Sequence, residues 1–306
     1  LPVELSAQVA GSDEVKVGMI GMGGRNSGAI VQSLNANDGA RLTAVAEAFA
    51  DKIDGTGFRG SGLPAIQKQL DKMGKSAQID VPTSRQFVGL DAYKAVVDQV
   101  DLVCIATPPG FRPMHFEYAV SQGKHVFMEK PVCVDAHGFN KVINAAKEAD
   151  QKRLKVVVGL QRHCQDSYLQ SFQKYQEGAI GEMIGASCYW VGNRPWTAPR
   201  EAGYTEMEFQ VRNWQQFDWL SGDHICEQHV HNIDVINWFA SGDPIMGGNP
   251  ISAQGHGART NESATIGEIY NQHFIEYRYG PEQNNMTMYS HCLLYTSPSP
   301  RDSMTS

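Results

Sequence analysis

No stretch of this chain stays apolar for the ~18–20 residues that a bilayer-spanning helix needs, which argues against a membrane span. Basic clusters are also missing. The net charge is −7 and the pI about 5.8, and no run of Lys and Arg would neutralise a phosphate backbone, so nucleic acid is not an expected partner. The six cysteines (Cys104, Cys133, Cys164, Cys188, Cys226 and Cys292) are scattered with no CxxC. They read as buried free thiols, not as a disulfide framework or a zinc site. No signal peptide is visible; the chain starts at Leu1, and a processed signal would leave the same trace. What is present is 306 residues, 42% hydrophobic and 19% charged, enough for one large domain or two ordinary ones.

The first half alternates strand and helix. Apolar runs at 15–20, 42–47, 101–106, 125–129 and 155–160 read as strands. Helical patterns fall at 25–34, 91–99, 112–122 and 136–149, with Asp135 as the N-cap of the last. This is the βαβ rhythm of a doubly wound parallel sheet. Residues 54–62 (DGTGFRGSG) read as an exposed loop. After about residue 161 the rhythm changes. Strands are expected at 183–192, 252–256, 267–279 and 286–291, with a helix at 224–239 and an irregular Pro-, Arg- and Trp-rich segment at 193–210. The expected fold class is therefore α/β: a Rossmann domain at 15–160, then an α+β domain at 161–291 with a large, mostly antiparallel open sheet. Residues 1–14 read as a lead-in. The Ser/Pro-rich end, 292–306 (CLLYTSPSPRDSMTS), resembles translated adapter sequence. The expectation is a non-native tail on a second domain that stops before it is complete.

Four segments carry chemistry. The first is Gly21-Met22-Gly23-Gly24-Arg25-Asn26, close to GxGxxG but with Asn26 at the third glycine. Glycines there let backbone amides approach a pyrophosphate at a helix N-terminus. Glu47 ends the next strand, where an acid accepts from a ribose hydroxyl and repels a 2′-phosphate. NAD is thus expected over NADP; a solvated strand-end charge is the competing reading of Glu47. Second, Ala106-Thr107-Pro108-Pro109-Gly110 turns the chain at the ligand edge of the sheet, and Thr107, Pro108 and the following His115 are counted with the cofactor-binding residues. Third, Glu129-Lys130-Pro131 places an ion-pairable Glu-Lys at the carboxyl end of a buried strand, where a lysine can hydrogen-bond a substrate hydroxyl. Fourth, on the helix expected at 224–239, His224, Glu227, His231 and Asp234 recur on one face. Glu227 can orient His231, and His231 can take a proton near neutral pH. A zinc site built on His224, Glu227 and His231 is the rival reading.

These segments resemble the Gfo/Idh/MocA family (glucose–fructose oxidoreductase, inositol dehydrogenase and relatives). The resemblance runs from about Val15 to His291 and is carried by GMGGRN, by the EKP at 129–131, by Val158-Gly-Leu-Gln-Arg162, and by Glu227-x-x-x-His231. It implies NAD(P)-dependent redox of sugars or cyclitols, and an open sheet that is often an oligomer interface. Its EKP lysine matches Lys130, and its Asp-x-x-x-His pair matches Glu227 and His231, with the longer Glu here in place of Asp. Lys130, Glu227 and His231 are therefore the expected catalytic residues, and no metal is expected. Gly21, Met22, Gly23, Gly24, Arg25, Asn26, Glu47, Glu129 and Lys130 are the expected cofactor contacts, with Arg162, His163 and Trp214 against the substrate. The subgroup with GGRG-type turns and a tryptophan-rich loop like Arg212-Asn-Trp214 often carries a twin-arginine export signal, which implies a periplasmic location, with the cytoplasm as alternative. Some relatives are NAD-dependent glycosidases, which makes transient oxidation an alternative activity. A nucleotide-binding regulatory protein without catalysis is a further one.

Overall fold

The computed structural model describes residues 14–242, 248–259 and 266–295. Of the lead-in expected at 1–14, residues 1–13 lie outside the described residues, as do the last eleven positions, 296–306. The chain divides into two units, Leu1–Thr107 with Phe111–Gly159, and Pro108–Gly110 with Leu160–Ser306.

In the first unit the strands are β1 (Val15–Ile20), β2 (Ala40–Glu47), β3 (Gln86–Val88), β4 (Leu102–Ile105), β5 (His125–Met128) and β6 (Val156–Val158). All pair parallel in the order β3-β2-β1-β4-β5-β6. The pleat sends alternate side chains to two cores. Val17, Met19, Leu42 and Val45 join Ile30, Leu34, Ile66 and Leu70 on one face. Ile20, Ala44 and Ala46 join Val96, Phe116 and Val142 on the other. The helices that cover these faces are α1 (Gly24–Ala36), α2 (Ala50–Ile53), α3 (Gly62–Lys72), α4 (Ala92–Val97), α5 (Arg112–Ser121) and α6 (Ala136–Gln151). Asp135 caps α6, accepting from Gly138 N at 2.6 Å. The strand order reverses between β1 and β4, which is where open α/β sheets bind ligands.

Three elements of this unit, β3, α2 and α3, have no counterpart among the expected ones. β3 is three residues long and half exposed, too short for an alternation to register. α3 begins inside the segment expected to be a loop, because Gly62 adopts φ +55° and starts a helix that buries Ile66 and Leu70.

The second unit holds α7 (Asp166–Gln176), β7 (Gly185–Asn193), α8 (Glu206–Arg212), α9 (Asp218–Ser221), α10 (Asp223–Glu227), α11 (Val230–Ser241), β8 (Ser252–Ala258), β9 (Gln272–Arg278) and β10 (Thr287–Tyr295). Its sheet runs β7-β10-β9-β8. It is mostly antiparallel, but β7 and β10 pair parallel. Its inner face sets Cys188, Tyr279 and Met288 against Ile233, Ile236 and Ala240 of α11.

Three expectations are corrected here. The helix expected at 224–239 is two helices, broken at Gln228 and His229. The break follows burial: His229 is fully buried and its Nε2 lies 2.8 Å from Ser290 Oγ, which a continuous helix period does not anticipate. Strand β10 runs on to Tyr295, into residues assigned to the tail, because Leu294 turns inward and is buried. β10 is thereby paired on both sides, with β7 and with β9. Finally, Cys164 is exposed, and Cys133 and Cys226 are only partly covered; all six cysteines are free.

The other face of this sheet is open. One row of paired residues crosses all four strands: Tyr189, His291, Phe274 and His256. Its rings touch in sequence at 5.1, 5.3 and 5.5 Å between centroids.

Candidate active site

The nucleotide turn is shaped by backbone. Gly21 takes φ +87°, and a Cβ there would sit 3.1 Å from the backbone of Ala106 and Thr107, so glycine is required on two counts. A Cβ on Gly23 or Gly24 would meet nothing within 4 Å. Helix α1 starts there with no side-chain cap, leaving amide donors and open space at a helix N-terminus, a ready anion site.

Asn26 explains the departure from GxGxxG. It is fully buried, and its Nδ2 donates to the carbonyls of Ile20, Gly21 and Cys104 at 2.9–3.1 Å. The third glycine of the motif allows close helix–strand packing. Here an amide fills that space and ties the turn to both β1 and the residue before Ile105 of β4. Glu47 clamps the same turn from β2: Oε2 accepts from Met22 N and Oε1 from Ala48 N, both at 2.7 Å. Burial pushes its carboxyl pKa up, against the opposing pull of these amides. Ser61, which sequence reading passed over, donates to Met22 O at 3.1 Å and lies 3.1 Å from Ser27 Oγ.

The segment around Lys130 is equally constrained. Glu129 is buried and forms an ion pair with Arg25 at 2.8 Å. A Cβ on Gly159 would meet the Glu129 carboxylate at 2.8–2.9 Å, so the glycine after β6 is what makes room for that acid. Buried Arg112 donates from Nη1 to Glu129 O at 3.1 Å and to Pro131 O at 2.5 Å, bracketing Lys130 in the backbone. The Lys130–Pro131 peptide is cis. Thr107 Oγ1 lies 3.0 Å from His115 Nδ1, and His115 packs on Tyr93 at 4.3 Å. Burial, with a contribution from Arg112, pushes the pKa of His115 down to about 3, so it stays neutral. Pro108, counted with the cofactor residues, groups with the second unit, where Gly110 N donates to Leu220 O at 3.0 Å.

In the second unit Glu227 ends α10 and His231 lies in the first turn of α11. The helix break separates what was expected as one face. His231 stacks on Trp190 of β7, 6.5 Å between centroids. Asp234 pairs with His163 at 2.7 Å. Arg162 donates from Nη1 to His231 O at 3.0 Å and to Asn232 Oδ1. Trp214 opens a short turn between Asn213 and Gln216, both buried. Asn213 bonds Ala198 N and O, and Gln216 Nε2 bonds the carbonyls of Pro195 and Trp196. These two amides order the Pro- and Trp-rich segment that has no period of its own.

His224 leaves the expected set altogether. Its Nδ1 lies 2.7 Å from Asp223 Oδ1, and His273 Nε2 lies 3.3 Å from Asp223 Oδ2. Among the described residues, Asp223, His224 and His273 are the one cluster whose ligand atoms come within 4.8 Å of one another. This replaces the zinc set of His224, Glu227 and His231. The cluster reads as a clamp: Asp223 also accepts from His224 N at Oδ1 and from Tyr270 N at Oδ2, so each carboxylate oxygen already holds a backbone amide. Burial alone would raise the Asp223 pKa, but these donors outweigh it and hold the carboxyl far below its usual range.

The buried thiols are inert. Burial pushes Cys104 up to about 12 and Cys188 up to about 11, which removes them as nucleophiles.

Residues 15–159 match the family model described as "Oxidoreductase family, NAD-binding Rossmann fold". The inositol 2-dehydrogenase/D-chiro-inositol 3-dehydrogenase of Lactiplantibacillus plantarum is 26% identical over 218 residues, 65% of this chain and 55% of that protein. A glycosyl hydrolase family 109 protein of Solibacter usitatus is 28% identical over 152 residues, 49% of this chain and 29% of that protein. The chain spans about half the length, or less, of the curated relatives it matches. Among solved structures, myo-inositol 2-dehydrogenase from Lactobacillus plantarum is similar with a TM-score of 0.63 at 20% identity, covering 93% of this chain and 71% of that one. The aldose-aldose oxidoreductase of Caulobacter crescentus gives 0.65 at 15% identity, covering 92% and 71%. At these identities the structures speak for the fold. No described helix is long and apolar enough to cross a membrane. Residues 15–159, with their glycine turn and their strand ending in Glu129-Lys130-Pro131, match the Gfo/Idh/MocA family of NAD-binding oxidoreductases.

Proposed function

We propose that the protein oxidises a secondary hydroxyl of a cyclitol or sugar, with NAD as hydride acceptor. The observation that carries the reading is the bracketing of Lys130: a buried arginine holds the carbonyls on both sides of it, in the same unit as an amide-lined nucleotide turn. The inositol dehydrogenases among the relatives supply the substrate class. The residues present fit NAD. The turn offers free amides for a pyrophosphate, and an acid at Glu47, held against the turn by Met22 N, disfavours a 2′-phosphate beside it.

In this mechanism Lys130 hydrogen-bonds the reacting hydroxyl and stabilises negative charge as its proton leaves. His231 accepts that proton, oriented by Glu227. The carbon's hydride and the oxygen's proton then depart to different acceptors, and a carbonyl remains. NAD, when bound, supplies the acceptor for the hydride. Arg25 is neutralised by Glu129, so charge at the turn is balanced before the dinucleotide arrives. The same reading carries a homo-oligomer, supported by the exposed ring row on the open sheet. It also carries an exported location, supported by the GGRN turn and the tryptophan-rich loop.

Incubation with NAD and a panel of cyclitols and aldoses, read by NADH formation, tests this. NADH should form with at least one cyclitol or sugar, and His231→Ala should abolish it. Glu47→Ala should narrow the preference for NAD over NADP by roughly tenfold, equivalent to about 1.4 kcal/mol. The glycosyl hydrolase family 109 relatives favour a second reading, transient oxidation during glycoside cleavage. Cleavage of aryl glycosides that needs NAD yet leaves no net NADH would select it.

A further inference from the structure

We propose that Arg162 is a positioning residue for His231, acting through the backbone of α11 and not on the substrate. The inference rests on the reading of His231 as the base. Helix α11 begins right after the break at Gln228 and His229, and its N-cap His229 makes no side-chain capping bond. The first turn, which carries His231, has no capping side chain, and across the break the His231 amide reaches Gln228 O only at 3.4 Å. External groups add to its hold. Arg162 Nη1 reaches the His231 carbonyl at 3.0 Å and the Asn232 side-chain oxygen as well. Asn232 Nδ2 in turn donates to Tyr189 O of β7 at 2.6 Å, next to Trp190, on which the His231 ring stacks. One guanidinium thus joins the base's own peptide to the strand that backs its ring.

The next residue adds a second clasp. His163 bonds Asp234 at 2.7 Å and stacks on Trp238, with ring centroids 4.3 Å apart and planes 23° from parallel. The turn Gln161–Cys164 therefore grips α11 at His231, Asn232, Asp234 and Trp238. A guanidinium suits this work because it is planar and always charged, and its donors form a rigid fork; an ammonium offers only a point charge. A base displaced by a fraction of an ångström loses rate without losing affinity.

The test is steady-state kinetics on Arg162→Met, Arg162→Lys and His231→Ala, with NAD affinity measured separately. Arg162→Met should lower kcat by about 10-fold to 100-fold while the sugar KM and NAD Kd move less than about twofold. Arg162→Lys should recover part of the loss. If KM rises and kcat stays, Arg162 touches the substrate and the proposal falls. If neither moves while His231→Ala is dead, the proposal falls and the reading of His231 stands. If His231→Ala keeps its activity, both fall. Should Arg162→Met fail to fold, Asn232→Leu removes the partner that links the guanidinium to Tyr189. It should show the same loss in kcat without a rise in KM; an unchanged kcat overturns the proposal.

Discussion

The nucleotide turn and the α10–α11 corner solve the same problem, holding a few atoms still, in different ways. In the first unit, the turn is set by Gly21 at φ +87°, by a backbone 3.1 Å from where its Cβ would be, and by buried Asn26 on three carbonyls. In the second, the work falls to side chains on side chains: Arg162 on Asn232, His163 on Asp234, Asp223 between two histidines. A site made of backbone tolerates almost no change in the few residues that shape it. A site made of side chains spreads its dependence over partners far apart in sequence. That difference decides which substitutions should be catastrophic and which should be graded.

The sharpest break of the comparison is Lys130→Met. Its backbone is bracketed by Arg112, so the substitution should leave fold and NAD binding intact. It should cost about 10²-fold or more in turnover, the usual loss for a proton-transfer partner. Unchanged turnover in Lys130→Met would remove Lys130 from the chemistry.

Next in size is Asn26→Gly, which restores the GxGxxG pattern yet should harm the protein. The carbonyls of Ile20, Gly21 and Cys104 lose their shared donor, at about 1–3 kcal/mol. Thermal melting checks it: an unchanged or higher Tm would show that the motif, not the strap, is what the turn needs.

Spread over both units, and graded with pH, is an acid effect. Buried His115 and His229 have pKa values pushed down to about 3 and about 4, mainly by burial. The unfolded chain binds their protons below about pH 6.5 and the folded chain does not. Stability from these two groups is therefore complete above pH 6.5. It falls with pH by up to about 1.4 kcal/mol per unit for each histidine, for His229 until about pH 4. Melting between pH 7.5 and 5 should show the slope, and His229→Gln should flatten it; an unaltered slope would place the titration elsewhere.

The two regions also differ in how far they could be read from sequence. The strands of the first unit are continuous apolar runs, and its turn is punctuated by glycine, so β1, β2, β4, β5 and the Glu129-Lys130-Pro131 end are local signals. What stayed hidden there depends on distant partners. Asn26 looked like a defect in a motif until its three carbonyls were found, one of them at Cys104. Arg112 looked like the start of an ordinary helix, and its acceptors lie 17 and 19 residues downstream. In the second unit hidden features dominate. The helix period placed His224, Glu227, His231 and Asp234 on one face, but His229 is drawn inward to Ser290, 61 residues away, and the face is broken. Asp223 finds His273 across some 50 residues of loop and strand. A periodicity reports what one element wants alone, and here the core overruled it.

The proposed hydride transfer from a sugar or cyclitol carbon is read by isotope transfer. The protein would be incubated with NAD and perdeuterated myo-inositol, and then with perdeuterated forms of any other active substrate. Deuterium should appear on the nicotinamide ring of the reduced cofactor, one atom per molecule of ketone formed. Product formed without deuterium in the cofactor, or cofactor reduced without deuterium from the substrate, would contradict the account.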